Sequence, residues 1–282
     1  MSEIYQKIMQ QCYDKYNTLK ASESCNQEFE CRTDCLSDIY WTNKTRTYEC
    51  QTITYMYVLR FMNKYASEIY HLFSKYISNL NNGDLIFSIG SGPCFETVGI
   101  ERFCREKDLF DIKYIGTDKN NVWQDTANIC CHNSITDKFV SIPAQVLSDE
   151  YCEKILPKTR VLILNYVLSD CKNHNSLSYL LNSTLRKYLD LMLCGSYVIV
   201  NDINHSNEWE EEFDEWKTSL SANLSCKDYF FNQSKACNPR GESIYTKSLI
   251  FDNSNMSFVQ QFADGIKECT SSGTIIYKDF PF

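Results

Sequence analysis

The residues of this 282-residue chain whose types and spacing best suit chemistry stand together in Ser88-Ile89-Gly90-Ser91-Gly92-Pro93-Cys94-Phe95-Glu96. Four of the nine glycines (Gly83, Gly90, Gly92 and Gly99) fall within seventeen residues around it. A Gly-x-Gly turn after an apolar strand lets the backbone approach a ligand with no Cβ in the way. Where the turn opens into a helix, it also offers the unpaired amides of a helix N-terminus. Further on, Tyr114-Ile115-Gly116-Thr117 leads into Asp118. A carboxylate at the tip of a neighbouring strand can accept the protons of both ribose hydroxyls of an adenosine. The chemistry legible here is the close approach of backbone and a carboxylate to a ribose-bearing ligand.

Such a turn works only on a scaffold that brings strand ends together, and the remaining sequence supplies one. Residues 1–80 contain no glycine or proline. Ile4, Ile8, Cys12 and Tyr16 form an apolar stripe on a first amphipathic helix. Tyr55, Val58, Leu59, Met62, Tyr65, Ile69, Leu72, Phe73 and Tyr76 form one face of a further long helix or helix pair, with Gly83 of Asn81-Asn82-Gly83 as its left-handed stop. From Asp84 on, short apolar runs alternate with helical stretches. Strands are expected at 85–89, 113–117, 138–142, 160–166 and 195–201, with helices at 95–106 and 176–193. The unbroken run Val161-Leu162-Ile163-Leu164 suits a strand covered on both faces. After residue 205 a helix is expected at 208–224 and strands at 228–231, 248–251 and 274–277. Alternation of this kind predicts an α/β fold with a doubly wound, mostly parallel sheet, and the tail predicts an antiparallel edge. The simplest division is an N-terminal helical extension over 1–80 and a Rossmann-like domain over 81–282.

Composition narrows the function classes. The net charge of −8 and the lack of any Lys/Arg block disfavour a nucleic-acid footprint. No apolar run approaches the roughly 18 residues that span a bilayer, and no signal-peptide h-region opens the chain, so the expectation is a cytoplasmic protein. The fifteen cysteines are odd in number and contain no Cys-x-x-Cys, and even the cluster Cys25, Cys31 and Cys35 lacks a nearby fourth ligand. They are read as reduced, small apolar residues, with no metal expected. The oligomeric state leaves no mark on the sequence.

Gly90-x-Gly92 after the first strand, Asp118 at the end of the second, and an apolar fourth strand ending in Asn165-Tyr166 resemble the class I (Rossmann-like) S-adenosylmethionine-dependent methyltransferases over residues 84–205. The resemblance implies S-adenosylmethionine as cofactor. It implies that Gly90, Ser91 and Gly92 lie beside its methionine part and that Asp118 holds the ribose. Lys119 and the 142–145 stretch would line the adenine, and Asn165 with Tyr166 would face the methyl group. The chain departs from the family at Ser88, where an acid is common, and at Cys94, the third small position of the loop. Ser88 can still make one hydrogen bond to the site, and Glu96 is placed to supply the missing charge. The implied methyl acceptor is a small molecule or a protein. Asn165-Tyr166-Val167-Leu168 lacks the Pro-Pro that base- and glutamine-directed amino methyltransferases carry. No catalytic residue is named, because an activated sulfonium needs positioning more than acid–base help.

Two other readings compete. The first is a catalytically degenerate methyltransferase fold that acts as a binding protein, for which Ser88 and Cys94 speak. The second is an NAD-binding oxidoreductase, whose fingerprint needs glycine where Phe95 stands. Single residues also have plainer roles. Asp118 is a candidate N-cap, Trp123 and Tyr166 are candidate packing residues, and Asp202 and His205 are candidate solvated-turn residues. The aromatic density of 40–80 (Tyr40, Trp41, Tyr48, Tyr55, Tyr57) fits a lid over the cofactor and acceptor as well as it fits a layer covering the sheet.

Overall fold

The computed structural model describes residues 3–21, 50–132, 139–143, 148–203, 207–221, 223–231 and 271–279. Among the described residues seven strands form one sheet: β1 (Leu85–Ile89), β2 (Lys113–Asp118), β3 (Phe139–Pro143), β4 (Thr159–Asn165), β5 (Tyr197–Ile203), β6 (Leu224–Phe231) and β7 (Ser271–Lys278). Their order is β3-β2-β1-β4-β5-β7-β6. Strands β1 to β5 pair in parallel, and β7 runs antiparallel to both β5 and β6. This is the mostly parallel, doubly wound sheet with an antiparallel edge that the sequence predicts.

Period-two alternation divides the core into two layers. Ile86, Tyr114, Val161, Ile163, Tyr197 and Ile199 point to one face, where α1 (Glu3–Ala21), α2 (Gln51–Tyr76), α3 (Glu96–Glu106) and α4 (Gln124–His132) pack. Phe87, Leu162, Leu164, Val198 and Val200 point to the other. That face is covered by α5 (Asp149–Ile155), α6 (Leu168–Asn173), α7 (Leu177–Tyr179), α8 (Arg186–Leu191) and α9 (Asn207–Thr218). A π-helical segment, Leu180–Leu185, joins α7 to α8 within the expected 176–193 helix.

The N-terminal helices belong to the first of these layers. Ile4, Ile8, Cys12 and Tyr16 are all buried, as the stripe requires. Helix α2 is a single helix, and it packs so closely on α3 that a Cβ on Gly99 would stand 2.4 Å from the Ala66 carbonyl oxygen. It runs alongside β5. Ser78 Oγ, just beyond its C-terminus, lies 3.2 Å from the hydroxyl of Tyr197 at the start of the strand. Glu68 meets Asn201 near the strand's carboxyl end. Residues 51–64 therefore run along the carboxyl edge of the sheet, where Lys64 meets Tyr166 and Tyr57 meets Phe95 and Trp123.

Three local expectations change. Helix α2 ends at Tyr76, with Ile77 already extended, so Gly83 (φ +93°) serves a turn before β1 rather than the helix end. Helix α9 stops at Thr218 instead of reaching 224, because Ser219 and Leu220 turn back onto Trp216 and Lys217 before β6 begins. The sixth strand starts at Leu224, four residues earlier than the apolar pattern indicates. The expected strand at 248–251, the Cys25/Cys31/Cys35 cluster, residues 40–49 and His205 lie outside the described residues.

Candidate functional site

Strand order reverses at β1, which is flanked by β2 and β4, and the crevice of a doubly wound sheet lies at such a switch point. The glycine turn fills this place. Gly90 (φ +62°) and Gly92 (φ +47°) are both left-handed. At Gly90 a side chain is excluded twice over, since a Cβ would also come within 2.8 Å of Val167. The Ser91 amide donates to the Thr117 carbonyl at 3.0 Å, tying the turn to β2.

Asp118 completes the frame. Its Oδ2 accepts from the Gly92 amide at 3.0 Å and its Oδ1 from the Asn120 amide at 2.8 Å. Burial raises this carboxyl's pKa, while the Asn120 and Gly92 amides pull it down. Asp118 is not the cap of the segment that follows. That role falls to Asn120, whose Oδ1 accepts from the Val122 amide at 3.1 Å. Lys119 is exposed beside the acid, and the part of 142–145 that the structure describes, Ile142 and Pro143, closes β3.

The two departures each have a partner beneath the turn. Ser88 is fully buried, and its hydroxyl donates to Glu96 Oε1 at 2.8 Å. An acid thus sits under the loop, delivered from the first turn of α3 instead of from β1. Burial pushes the Glu96 carboxyl up to about 7, against its backbone and Ser88 hydrogen bonds. Cys94 adopts φ +59° and is buried. A Cβ on Gly116 would come within 2.6 Å of its sulfur, so Gly116 makes the room that a larger loop residue needs.

A second group of residues meets at the ends of β4 and β5. Tyr166 is left-handed (φ +60°), with its amide bonded to the Asn201 carbonyl at 2.7 Å. Its ring stacks on Tyr65 at 4.0 Å between centroids, and its hydroxyl donates to Glu68 Oε2 at 3.0 Å and accepts from Lys64 Nζ. Lys64 and Glu68 form an ion pair at 3.0 Å, with side chains 0% and 1% exposed. The Asn201 amide bridges Glu68 Oε2 (3.0 Å) and Asn165 Oδ1 (2.9 Å). The sequence flagged Asn165 and Tyr166 but not Lys64, Glu68 or Asn201.

Aromatic rings join the two groups. Tyr57 stacks on Phe95 at 5.7 Å and meets Trp123 edge-on at 5.2 Å, and the Trp123 indole lies against Gly92. Asp202 is not a solvated turn residue. It is fully buried, accepts from the Ser169 amide at 3.0 Å and the Ile203 amide at 2.7 Å, and is pushed up to about 6 by burial. It anchors the start of α6.

No family model and no curated protein matches the chain. Its fold is similar to solved methyltransferases. The plantazolicin methyltransferase BpumL, solved with a triazolic desmethylPZN analog and SAH, is 14% identical, covers 99% of this chain and 97% of its own, and gives a TM-score of 0.44. A methyltransferase from Pyrococcus furiosus is 15% identical over 76% of this chain and 83% of its own, with a TM-score of 0.45. Precorrin-6y C5,15-methyltransferase from Geobacter metallireducens is 7% identical over 76% and 87%, with a TM-score of 0.43.

Proposed function

We propose that this chain is an S-adenosylmethionine-dependent methyltransferase. The observation that carries this reading is the Gly92 amide bonded to Asp118, which joins the glycine turn and the second-strand acid into one frame at the switch point. The turn has room only for backbone at Gly90, so it fits a ligand that must come close, and the neighbouring carboxylate fits a ribose. In this reading Gly90, Ser91 and Gly92 lie along the methionine part, Asp118 holds the ribose, and Asn165 and Tyr166 stand toward the transferred group. Lys119 borders the adenine. Ser88 acts from below through Glu96. When bound, the cofactor supplies a methyl group already activated on a sulfonium.

The chain's own residues position that ligand and exclude water. Residues 51–65 of α2 lie over the carboxyl edge and bring Tyr57 and Tyr65 against Phe95 and Tyr166, with Phe61 packed between the two tyrosines. This is the position of a lid that also walls an acceptor pocket, with the acceptor a small molecule or a protein side chain. Phe95, buried where a dinucleotide fold needs its third glycine, speaks against NAD. The partners found by Ser88 and Cys94 weaken the case for a degenerate site. Titration calorimetry tests the reading. One-to-one binding of S-adenosylmethionine and S-adenosylhomocysteine is expected, and saturable NADH binding without either of them would overturn it.

A further inference from the structure

We propose that Tyr166 is a catalytic residue that takes the proton of a phenolic acceptor and relays it to Glu68, with Lys64 and Glu68 as positioning residues. The proposal rests on the methyltransferase reading and adds the acceptor class. Three unfavourable features coincide at this one spot. A Lys–Glu pair is withdrawn almost wholly from water, which seldom stabilises a fold relative to apolar packing. A bulky aromatic residue occupies the left-handed region at the end of β4. A buried Asn165–Asn201 pair is spent on holding Glu68. Costs of this kind persist where surrounding structure enforces them, and they cluster at functional sites.

The hydrogen bonds give the group a direction. Lys64 donates to the Tyr166 oxygen, and Tyr166 donates to Glu68 Oε2. When an acceptor hydroxyl meets Tyr166, its O–H bond breaks and its proton bonds to the Tyr166 oxygen. The proton of Tyr166 then passes to Glu68, which becomes neutral. The electron pair left on the acceptor oxygen is the nucleophile that bonds to the methyl carbon, while the C–S pair withdraws to sulfur. Lys64, 4.5 Å from the centroid of the Tyr166 ring, loses its anionic partner in this step and faces the new oxyanion instead.

The same ammonium sets the substrate class. It repels a cationic amine and stabilises an oxygen anion. Acceptors with no proton to lose, such as a pyridine nitrogen, have no use for a relay. Tyr65, stacked on Tyr166, and Phe95 beside Tyr65 give the group an aromatic surround that favours a flat aromatic body, which makes the hydroxyl a phenol.

The test uses the full chain with 4-nitrophenol as probe, in S-adenosylhomocysteine, at a pH where the free probe is protonated. Saturable appearance of the phenolate absorbance is expected for the native protein. Tyr166→Phe, which keeps the Lys64–Glu68 pair, should bind the probe without ionising it. With S-adenosylmethionine, Tyr166→Phe should lose turnover of unsubstituted phenol by about a hundredfold or more. It should keep turnover of 4-nitrophenol at a pH where that probe ionises unaided, a rescue that a misfolded variant would not show. Native protein that leaves the probe protonated or unbound, or that methylates pyridine and no phenol, overturns the proposal. Calorimetry with S-adenosylhomocysteine on the same sample separates the two failures, since loss of cofactor binding sinks the methyltransferase reading itself.

Discussion

Replacing Asp118 by alanine removes a carboxylate that works inward and outward at once. Inward, it holds the amides of Gly92 and Asn120. Hydrogen bonds to a charged group are worth roughly 1.5–3 kcal/mol each, but burial already opposes this charge. A net stability loss of about 1–2 kcal/mol follows, small enough to leave a folded protein. Outward, the carboxylate is the proposed ribose contact, and its loss should weaken cofactor binding about ten- to a hundredfold. Slackening of the glycine turn could mimic that loss, so the assay is calorimetry with two ligands, S-adenosylhomocysteine and its 2′,3′-dideoxy analogue. If Asp118 contacts the ribose, native protein prefers the hydroxylated ligand and Asp118→Ala binds both equally. Asp118→Asn should behave no better, because its NH2 would face a backbone N–H. An unchanged affinity in Asp118→Ala, or a preserved preference for the hydroxylated ligand, would refute the assignment.

Other expectations follow from Glu96, Gly99 and α2. The Glu96 carboxyl is raised from 4.5 to about 7, so between those values the folded chain keeps a proton that the unfolded chain has lost. Its effect is absent below about 4.5, stability falls as pH rises toward about 7, and the full cost persists above. Thermal melts of Glu96→Gln should therefore gain on the native protein as pH increases over this window, and parallel curves would contradict the argument. Gly99→Ala drives a methyl into the Ala66 carbonyl and should cost roughly 1–3 kcal/mol in urea denaturation; a neutral result would mean that α2 and α3 separate freely. Hydrogen exchange with S-adenosylhomocysteine should show new protection over residues 51–65 if α2 is a lid, and no change there would leave it as scaffold.

The sheet was legible because β1, β4 and β5 are covered on both faces and so read as unbroken apolar runs, while Gly90, Gly92 and Asp118 announce the turn by type and spacing alone. The charged half of the second group was not legible. Lys64 and Glu68 stand one helical turn apart, a spacing that ordinarily marks a solvated salt bridge, and they fall off the apolar face of α2. They are buried because the middle of α2 is enclosed by α1, α3 and the end of β5, a tertiary fact that no local pattern carries. Asn201 was hidden for the related reason that its role depends on α2 crossing the strand end. The ends of α2 and α9 were misjudged where polar residues continued a helical rhythm that backbone turns cut short.

The position of β7 bears on how the chain acquires its shape as it is made. β7 lies between β5 and β6, so among the described strands β6 has none to pair with until residues 271–278 have been synthesised. Until then β5 is the outermost of the described strands that can pair, and an apolar edge of this kind recruits strands from other molecules. When β7 arrives it must pass beneath Tyr229, whose hydroxyl bonds to the Val200 carbonyl at 2.7 Å, and only a glycine at 273 leaves that path clear. Closure of the described sheet therefore waits for residues 271–278, and a chain halted before residue 271 has its glycine turn encoded but lacks the strand that joins β5 to β6.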